Sequence, residues 1–305
     1  MREITRINPT YSTTRTLTLQ KPVIKKQVED KFETFLFLPE GMARQSEGGL
    51  RTQGYFKTSL EGKPLITVIT VVFNGDKFLE ETIESVISQS YANVEYIIID
   101  GGSTDGTIDI IKKYEDKIDY WASEKDNGIY EAMNKGIELA TGKWINFMNS
   151  GDSFYDNNIL QNIFTKESLE EVDIIYGNIQ VVYPGTNKTR VVKAGKLENL
   201  SRGSQFSHQS SFILSSLQKK YPYNLSNRIG ADFEFYYNQY AKGKCFKYIN
   251  IIVAQNSAGG VSDIERVATI VGFWNVVKKD TATNFFYIFR IQKEILKILV
   301  KKIIS

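Results

Sequence analysis

The sequence predicts an open α/β fold: a Rossmann-like, doubly wound, mostly parallel sheet with a mixed C-terminal part and a terminal amphipathic helix. Three observations carry that expectation. Apolar, β-branched runs at Leu65–Phe73 and Val94–Ile99 are continuous rather than alternating, as in strands covered on both faces. Helical apolar spacing follows each run, so strands alternate with helices and imply βαβ crossovers. The third is Ile97-Ile98-Ile99-Asp100-Gly101-Gly102-Ser103-Thr104-Asp105-Gly106-Thr107, in which a buried run ends in a carboxylate and a polar turn. Open α/β sheets bind ligands at that strand edge.

Taken in order, residues 1–62 read as a loosely folded N-terminal extension. It carries an apolar patch, Phe35-Leu36-Phe37-Leu38, and a glycine-rich segment at Glu47–Lys57, and should pack on the main domain through its aromatics. The main domain spans 63–265. After the strand at Leu65–Phe73, Asn74-Gly75-Asp76 supplies turn chemistry, and Phe78, Leu79, Ile83, Val86 and Ile87 recur at helical spacing. Val94–Ile99 is a second strand and Gly106–Tyr114 a second helix. A short strand at Tyr120–Ser123, a helix from Gly128 to Ala140 and a strand at Lys143–Met148 follow. Beyond Asp152 the rhythm loosens: strands are expected at Val172–Tyr176, Ile179–Tyr183 and Arg190–Lys193, the last two joined through Pro184-Gly185. A helix at Asp232–Lys242 and a strand at Cys245–Val253 complete the domain. Residues 266–305 end in a basic helix, Asn284–Ile304, with Arg290, Lys293, Glu294, Lys297 and Lys301 on one face and a wide apolar remainder.

Bulk properties exclude several classes. With 305 residues, 42% hydrophobic and 24% charged, the chain can bury one large core. A net charge of +3 does not argue for nucleic acid. The single cysteine, Cys245, permits no intrachain disulfide and is expected to be half-buried in a strand. No signal-peptide pattern follows Met1, and no apolar run approaches the ~20 residues of a spanning helix. A cytoplasmic protein is the expectation, with the C-terminal helix able to lie on the inner face of an anionic membrane.

Asp100, Asp152 and Asp232 recur at strand ends or helix starts. Two carboxylates at neighbouring strand ends can hold a nucleotide and a divalent metal, Mg²⁺ or Mn²⁺, the ion taking one or two carboxylates plus phosphate oxygens; each acid alone could equally cap the next turn. Glycines 101, 102 and 106 lack G-x-G-x-x-G spacing and no G-K-[ST] follows a glycine loop, which excludes the common dinucleotide and P-loop signatures. The only histidine, His208, lies in Ser207-His208-Gln209-Ser210 without a G-x-S-x-G elbow.

Seven segments occur in the order seen in family 2 glycosyltransferases: Val71-Val72-Phe73-Asn74; Asp100–Thr107; Ser123–Gly136; Asn149-Ser150-Gly151-Asp152; Ser207-His208-Gln209; Ala231-Asp232-Phe233-Glu234; and Gly259-Gly260-Val261-Ser262. The chain thus resembles these inverting, nucleotide-sugar-dependent enzymes of the GT-A fold over Lys63–Ser262, in the branch that builds bacterial O-antigen, capsule and exopolysaccharide. The resemblance implies that Phe73 and Asn74 line the nucleoside pocket and that Asp100, with Gly102, meets the base. Asp126, Gly128 and Asn134 would lie beside the nucleotide and sugar. Asn149–Asp152 stands at the metal- and diphosphate-holding DxD position, where Ser150 and Gly151 would meet the donor. It departs from that pattern, leaving Asp152 alone as metal ligand. Asp232 takes the place of the catalytic base, with Glu234 a distant second. His208 and Gln209 would contact acceptor or phosphates, and Gly260 would sit in a mobile loop near the diphosphate. Tyr130 is the aromatic best placed to meet a sugar, Trp121 and Trp144 reading as packing. The implied reaction moves a hexosyl or N-acetylhexosaminyl group from a UDP-sugar to a glycan acceptor, lipid-linked at the membrane. A sugar nucleotidyltransferase and a non-catalytic nucleotide-binding scaffold are the alternatives; the first lacks its Arg/Lys-bearing glycine loop here, and the second rests on the thinned DxD segment.

Overall fold

The computed structural model describes residues 7–24, 31, 33–39, 44–186, 188–259 and 264–304. Its centre is a ten-stranded mixed sheet. Strand β1 (Arg44–Gly48) lies at one edge, antiparallel to β4 (Tyr120–Glu124). Then come β3 (Val94–Asp100), β2 (Ile66–Val72) and β5 (Trp144–Phe147), all parallel to β4. The order continues through β9 (Ser211–Leu214), β7 (Ile174–Val182), β10 (Phe246–Ser257) and β6 (Asp152–Phe154), with β8 (Thr189–Val192) paired to β7.

Alternation along the central strands builds two cores. From β2, Ile66, Val68 and Val72 point to one face and Ile69 and Val71 to the other; β3 divides Val94, Tyr96 and Ile98 from Ile97 and Ile99. Helices α1 (Leu79–Ile87) and α2 (Thr107–Lys113) cover the first face, α3 (Ile129–Leu139) the second. This is the doubly wound arrangement that the continuous apolar runs predict. Trp121 and Trp144, each 1% exposed, are core packing. The remaining helices are α4 (Ile159–Lys166), α5 (Ser215–Lys220), α6 (Ala231–Ala241), α7 (Arg266–Val276) and α8 (Thr281–Ile304).

Besides β6, β9, α4, α5 and α7, for which the sequence gives no expectation, the structure departs from the sequence expectations in three further ways. Residues 174–182 form one strand rather than two, because Gly177 lets β7 pass close to Ile249, Ile251 and Val253 of β10. Cys245 is exposed, since it precedes β10 at the end of the turn from α6. The segment before residue 62 is held by more than aromatics. Phe37 does meet Tyr120 edge-on at 5.7 Å, but β1 completes the sheet, and Arg51 and Lys57 reach beneath its N-terminal edge. There Arg51 pairs with Glu95 and Lys57 with Asp119, both at 2.6 Å and nearly sealed from solvent. Glu95 also accepts from the Thr67 hydroxyl and the Thr141 amide. Burial pulls Lys57 down and pushes Asp119 up, against their mutual attraction.

Candidate active site

The opposite, C-terminal edge gathers the residues singled out in the sequence. Asp100 ends β3 fully buried. One carboxylate oxygen accepts from the Ser103 hydroxyl; the other accepts from the Ser123 hydroxyl at 2.6 Å and from the amides of Gly102 and Ser103 at 3.0 and 2.9 Å. These four bonds, three of them on one oxygen, fold the chain back into a tight loop, with Gly102 at φ +83°. The Ser103 hydroxyl in turn accepts from the Asn74 amide at 2.7 Å, and Asn74 Oδ1 accepts from the Thr104 amide at 2.9 Å. The loops after β2 and β3 are thereby stitched into one rim, on which Phe73 stands 64% exposed. Asp126 closes the rim: a Cβ on Gly101 would lie 2.6 Å from its Oδ2, and its Oδ1 accepts from the Gly128 amide. Burial raises the Asp126 carboxyl above its ordinary range.

A second cluster lies across the loop that follows β5. Asp232, in the first turn of α6, accepts from the Tyr130 hydroxyl at 2.8 Å through Oδ1, while His208 Nδ1 lies 3.2 Å from Oδ2. The far ring nitrogen of His208 meets Asn149 Nδ2 at 3.0 Å. With that amide donating, the ring hydrogen sits on Nδ1 and donates to Asp232. Burial pushes the Asp232 carboxyl up, but the hydrogen bond from His208, with that of the Tyr130 hydroxyl, outweighs it and holds the group below its ordinary value.

Beside this cluster, Gln209 Nε2 donates to Asp152 Oδ2 at 2.8 Å. Burial is the larger influence on Asp152 and raises it to about 6, against the hydrogen bond from Gln209. The loop that carries Asp152 is pinned by Thr82, whose hydroxyl accepts from the Gly151 amide and donates to the Asp152 carbonyl. Gly151 takes φ +93° to make the turn. Asn149 Oδ1 and Ser150 Oγ are buried and, among the described residues, have no hydrogen-bond partner; the same holds for Asn256 Oδ1, on the residue paired with Asp152. A buried polar atom left unpaired costs free energy unless a ligand meets it. Hard oxygen donors around one raised carboxylate suit a divalent cation that keeps waters and phosphate oxygens in its shell. Among the described residues no group of three His, Cys, Asp or Glu could hold a metal without such help.

Several expected roles are altered by what the side chains touch. Asn134 is buried, with its amide engaged at both ends by the backbone of Tyr223, so it braces α3 and is not available to a nucleotide. Tyr130 is not an open sugar platform: it is 8% exposed, packs on Tyr223 at 5.4 Å and offers its hydroxyl to Asp232. His208 lies on Asp232 itself, and Glu234 turns away to Asn224 and Asn227. Gly128 is exposed at the start of α3 with φ +131°. Gly260 lies outside the described residues. Ser103, Ser123 and Asn149 all lie within the seven family-like segments, yet the sequence alone gives the two serines and the Asn149 amide no role.

Comparison with known proteins decides the family. The family model "Glycosyl transferase family 2" matches residues 67–233, from β2 to the first turn of α6. The chain belongs to glycosyltransferase family 2. This glycosyltransferase is 31% identical over 208 residues to a PGL/p-HBAD biosynthesis glycosyltransferase of Mycobacterium bovis, covering 66% of this chain and 80% of the relative. It is 35% identical over 176 residues to an uncharacterized glycosyltransferase of Mycobacterium tuberculosis, covering 56% and 67%. Its fold is similar to that of Staphylococcus aureus TarS 1–349 in complex with UDP-GlcNAc, with a TM-score of 0.53, 15% identity and coverage of 73% and 70%. It is also similar to a mannosyltransferase of Pyrobaculum calidifontis in complex with GDP-Man and Mn²⁺, with a TM-score of 0.55, 17% identity and coverage of 75% and 69%. The fold is therefore GT-A, and the enzyme is a glycosyltransferase.

Proposed function

We propose that this enzyme transfers a sugar with inversion from a UDP-sugar to a glycan acceptor that is lipid-linked, in the assembly of a bacterial surface glycoconjugate. The observation that carries the reaction is the pair of contacts on Asp232. Held ionised by Tyr130 and His208, it is in the proton-accepting form at neutral pH. Asp232 takes the proton of the acceptor hydroxyl as the hydroxyl oxygen bonds to the anomeric carbon. The bond from that carbon to the diphosphate oxygen breaks on the opposite face, and the nucleoside diphosphate departs with the electron pair. The rim formed by Phe73, Asn74, Gly102 and Asp126 holds the nucleoside, with Asp100 fixing its shape from beneath. Asp152, with Asn149 Oδ1 and Ser150 Oγ, would hold a divalent cation. Such an ion, when bound, supplies positive charge to the departing diphosphate. His208 keeps Asp232 aligned and ties it to the loop that meets the diphosphate.

Helix α8 supports an acceptor with a lipid part. No helix among the described residues is long and apolar enough to cross a membrane. Yet α8 packs only its first half through Phe286, Tyr287 and Ile291, and leaves Phe285, Phe289, Leu296 and Leu299 exposed beside Lys293 and Lys297. An apolar face flanked by lysines suits an anionic bilayer surface.

The test is release of nucleotide from a panel of UDP-, GDP- and dTDP-sugars, with a bacterial lipid extract as acceptor, in the presence of Mg²⁺, Mn²⁺ or EDTA. Turnover dependent on extract with a UDP-sugar, lost in EDTA, is expected. Turnover confined to a GDP-sugar would overturn the donor assignment, and turnover undiminished by EDTA the metal. Flotation with anionic vesicles but not with neutral ones would support α8; equal flotation with neither would remove the membrane from the account.

A further inference from the structure

The base-binding rim has a neighbour that lies outside the family segment. Strand β1 is joined to β4 by Arg44 opposite Glu124 and Ser46 opposite Ser123, so Gln45 is an extra residue between two paired positions. Such a bulge re-aims one side chain and is favoured beside active sites. Here it turns the Gln45 amide toward the Asp100 loop. A Cβ added to Gly102 would lie 3.5 Å from Gln45 Nε2, and the Ser123 hydroxyl, which donates to Asp100, is 3.5 Å from Gln45 Oε1. The backbone is fixed on both sides of the bulge. Arg44 is held by Glu124 at 3.0 Å and by the Leu38 carbonyl, and Glu47 accepts from the Tyr120 hydroxyl. Gly48 lies against Trp121 so closely that no side chain would fit.

We infer that Gln45 is a nucleobase-selecting residue of the donor site, an inference that rests on the nucleotide-sugar reading above. Asp100 is fully buried beneath the loop and already holds four internal donors, so a base edge at this rim meets the groups that stand at its surface. Gln45 is exposed, and a carboxamide provides both a donor and an acceptor on one rigid plane, the pattern that matches the edge of a pyrimidine or purine. Because β1 is anchored independently of the ligand, the amide is presented without ordering the chain at the moment of binding. Selection among bases would then come from the N-terminal segment and not from the family domain alone.

Calorimetry of UDP, GDP, CDP and inorganic pyrophosphate, on the wild type and on Gln45→Ala and Gln45→Glu, tests this. Both variants are checked for an unchanged melting temperature; Gln45→Glu preserves the side-chain length. Gln45→Ala should weaken the preferred nucleoside diphosphate by about three- to tenfold, the worth of a neutral hydrogen bond or two. It should also narrow the differences between bases and leave pyrophosphate unchanged. Gln45→Glu should change the order of preference, since it removes the donor. Wild-type affinity and wild-type base order in both variants would overturn the role of Gln45 while leaving the glycosyltransferase reading intact. A wild type that binds none of the nucleotides would overturn both.

Discussion

At the N-terminal edge of the sheet, Glu95 and Asp119 each meet a cation at 2.6 Å. At the C-terminal edge, Asp100, Asp152 and Asp232 meet hydroxyls, amides and an imidazole, and among the described residues no lysine or arginine pairs with them. The same strands thus bury carboxylates in two ways. Where charge is neutralised inside the fold, the group serves to hold the extension under the sheet. Where it is not, as at Asp152 and Asp232, the carboxylate remains available to a proton or a metal, and among the described residues the loop before Asp152 leaves polar atoms unpaired for a ligand. An unneutralised buried acid is a functional signal because burial alone would select against it.

The sharpest way to break this comparison is at the paired edge. Arg51→Ala leaves Glu95 buried without its cation and should lower the stability to urea by about 3–5 kcal/mol, with the KM for donor unchanged in the folded fraction. A loss below about 1 kcal/mol, the range of exposed pairs, would show that the edge is not sealed.

At the unpaired edge the stability effect is smaller and of opposite sign. The Asp152 carboxyl is raised to about 6 by burial, so the native state binds its proton more tightly than the unfolded chain. Stability therefore falls as pH rises from the ordinary carboxylate value through 6, and stays lower above it. Asp152→Asn should raise the melting temperature at pH 8 and lose that advantage near pH 4, while Mn²⁺ should stabilise the wild type and not the variant. A variant less stable than the wild type at pH 8 would contradict the environment assigned to Asp152.

Much of the parallel half of the fold was legible because its strands are buried on both faces and its helices are amphipathic. Leu65–Phe73 and Val94–Ile99 could be little else. The placement of Asp152 and Asp232 at loop and helix starts followed from the same rhythm. What was not legible depends on tertiary partners. Strand β1, Arg-Gln-Ser-Glu-Gly, has no apolar pattern and exists because β4 offers it an edge. The ion pairs of Arg51 and Lys57 join residues 44 and 62 positions apart, and no local spacing announces them. Asn134 illustrates the reverse: a polar residue near the donor motif looks like a ligand until the Tyr223 backbone is seen to occupy it. His208 could be placed near the site, but not on Asp232, because 24 positions that include β9 and α5 separate them in the chain.

The central claim is that Asp232 is the base and not a donor-binding group. Its most direct test is Asp232→Asn, compared with the wild type in single-turnover transfer and in calorimetric titration with the donor nucleotide. The substitution keeps the size and the Tyr130 contact but removes the proton acceptor. Transfer should fall by about 10²–10⁴-fold while nucleotide affinity changes less than about threefold. Transfer within about tenfold of the wild type, or affinity lost in step with rate, would contradict it.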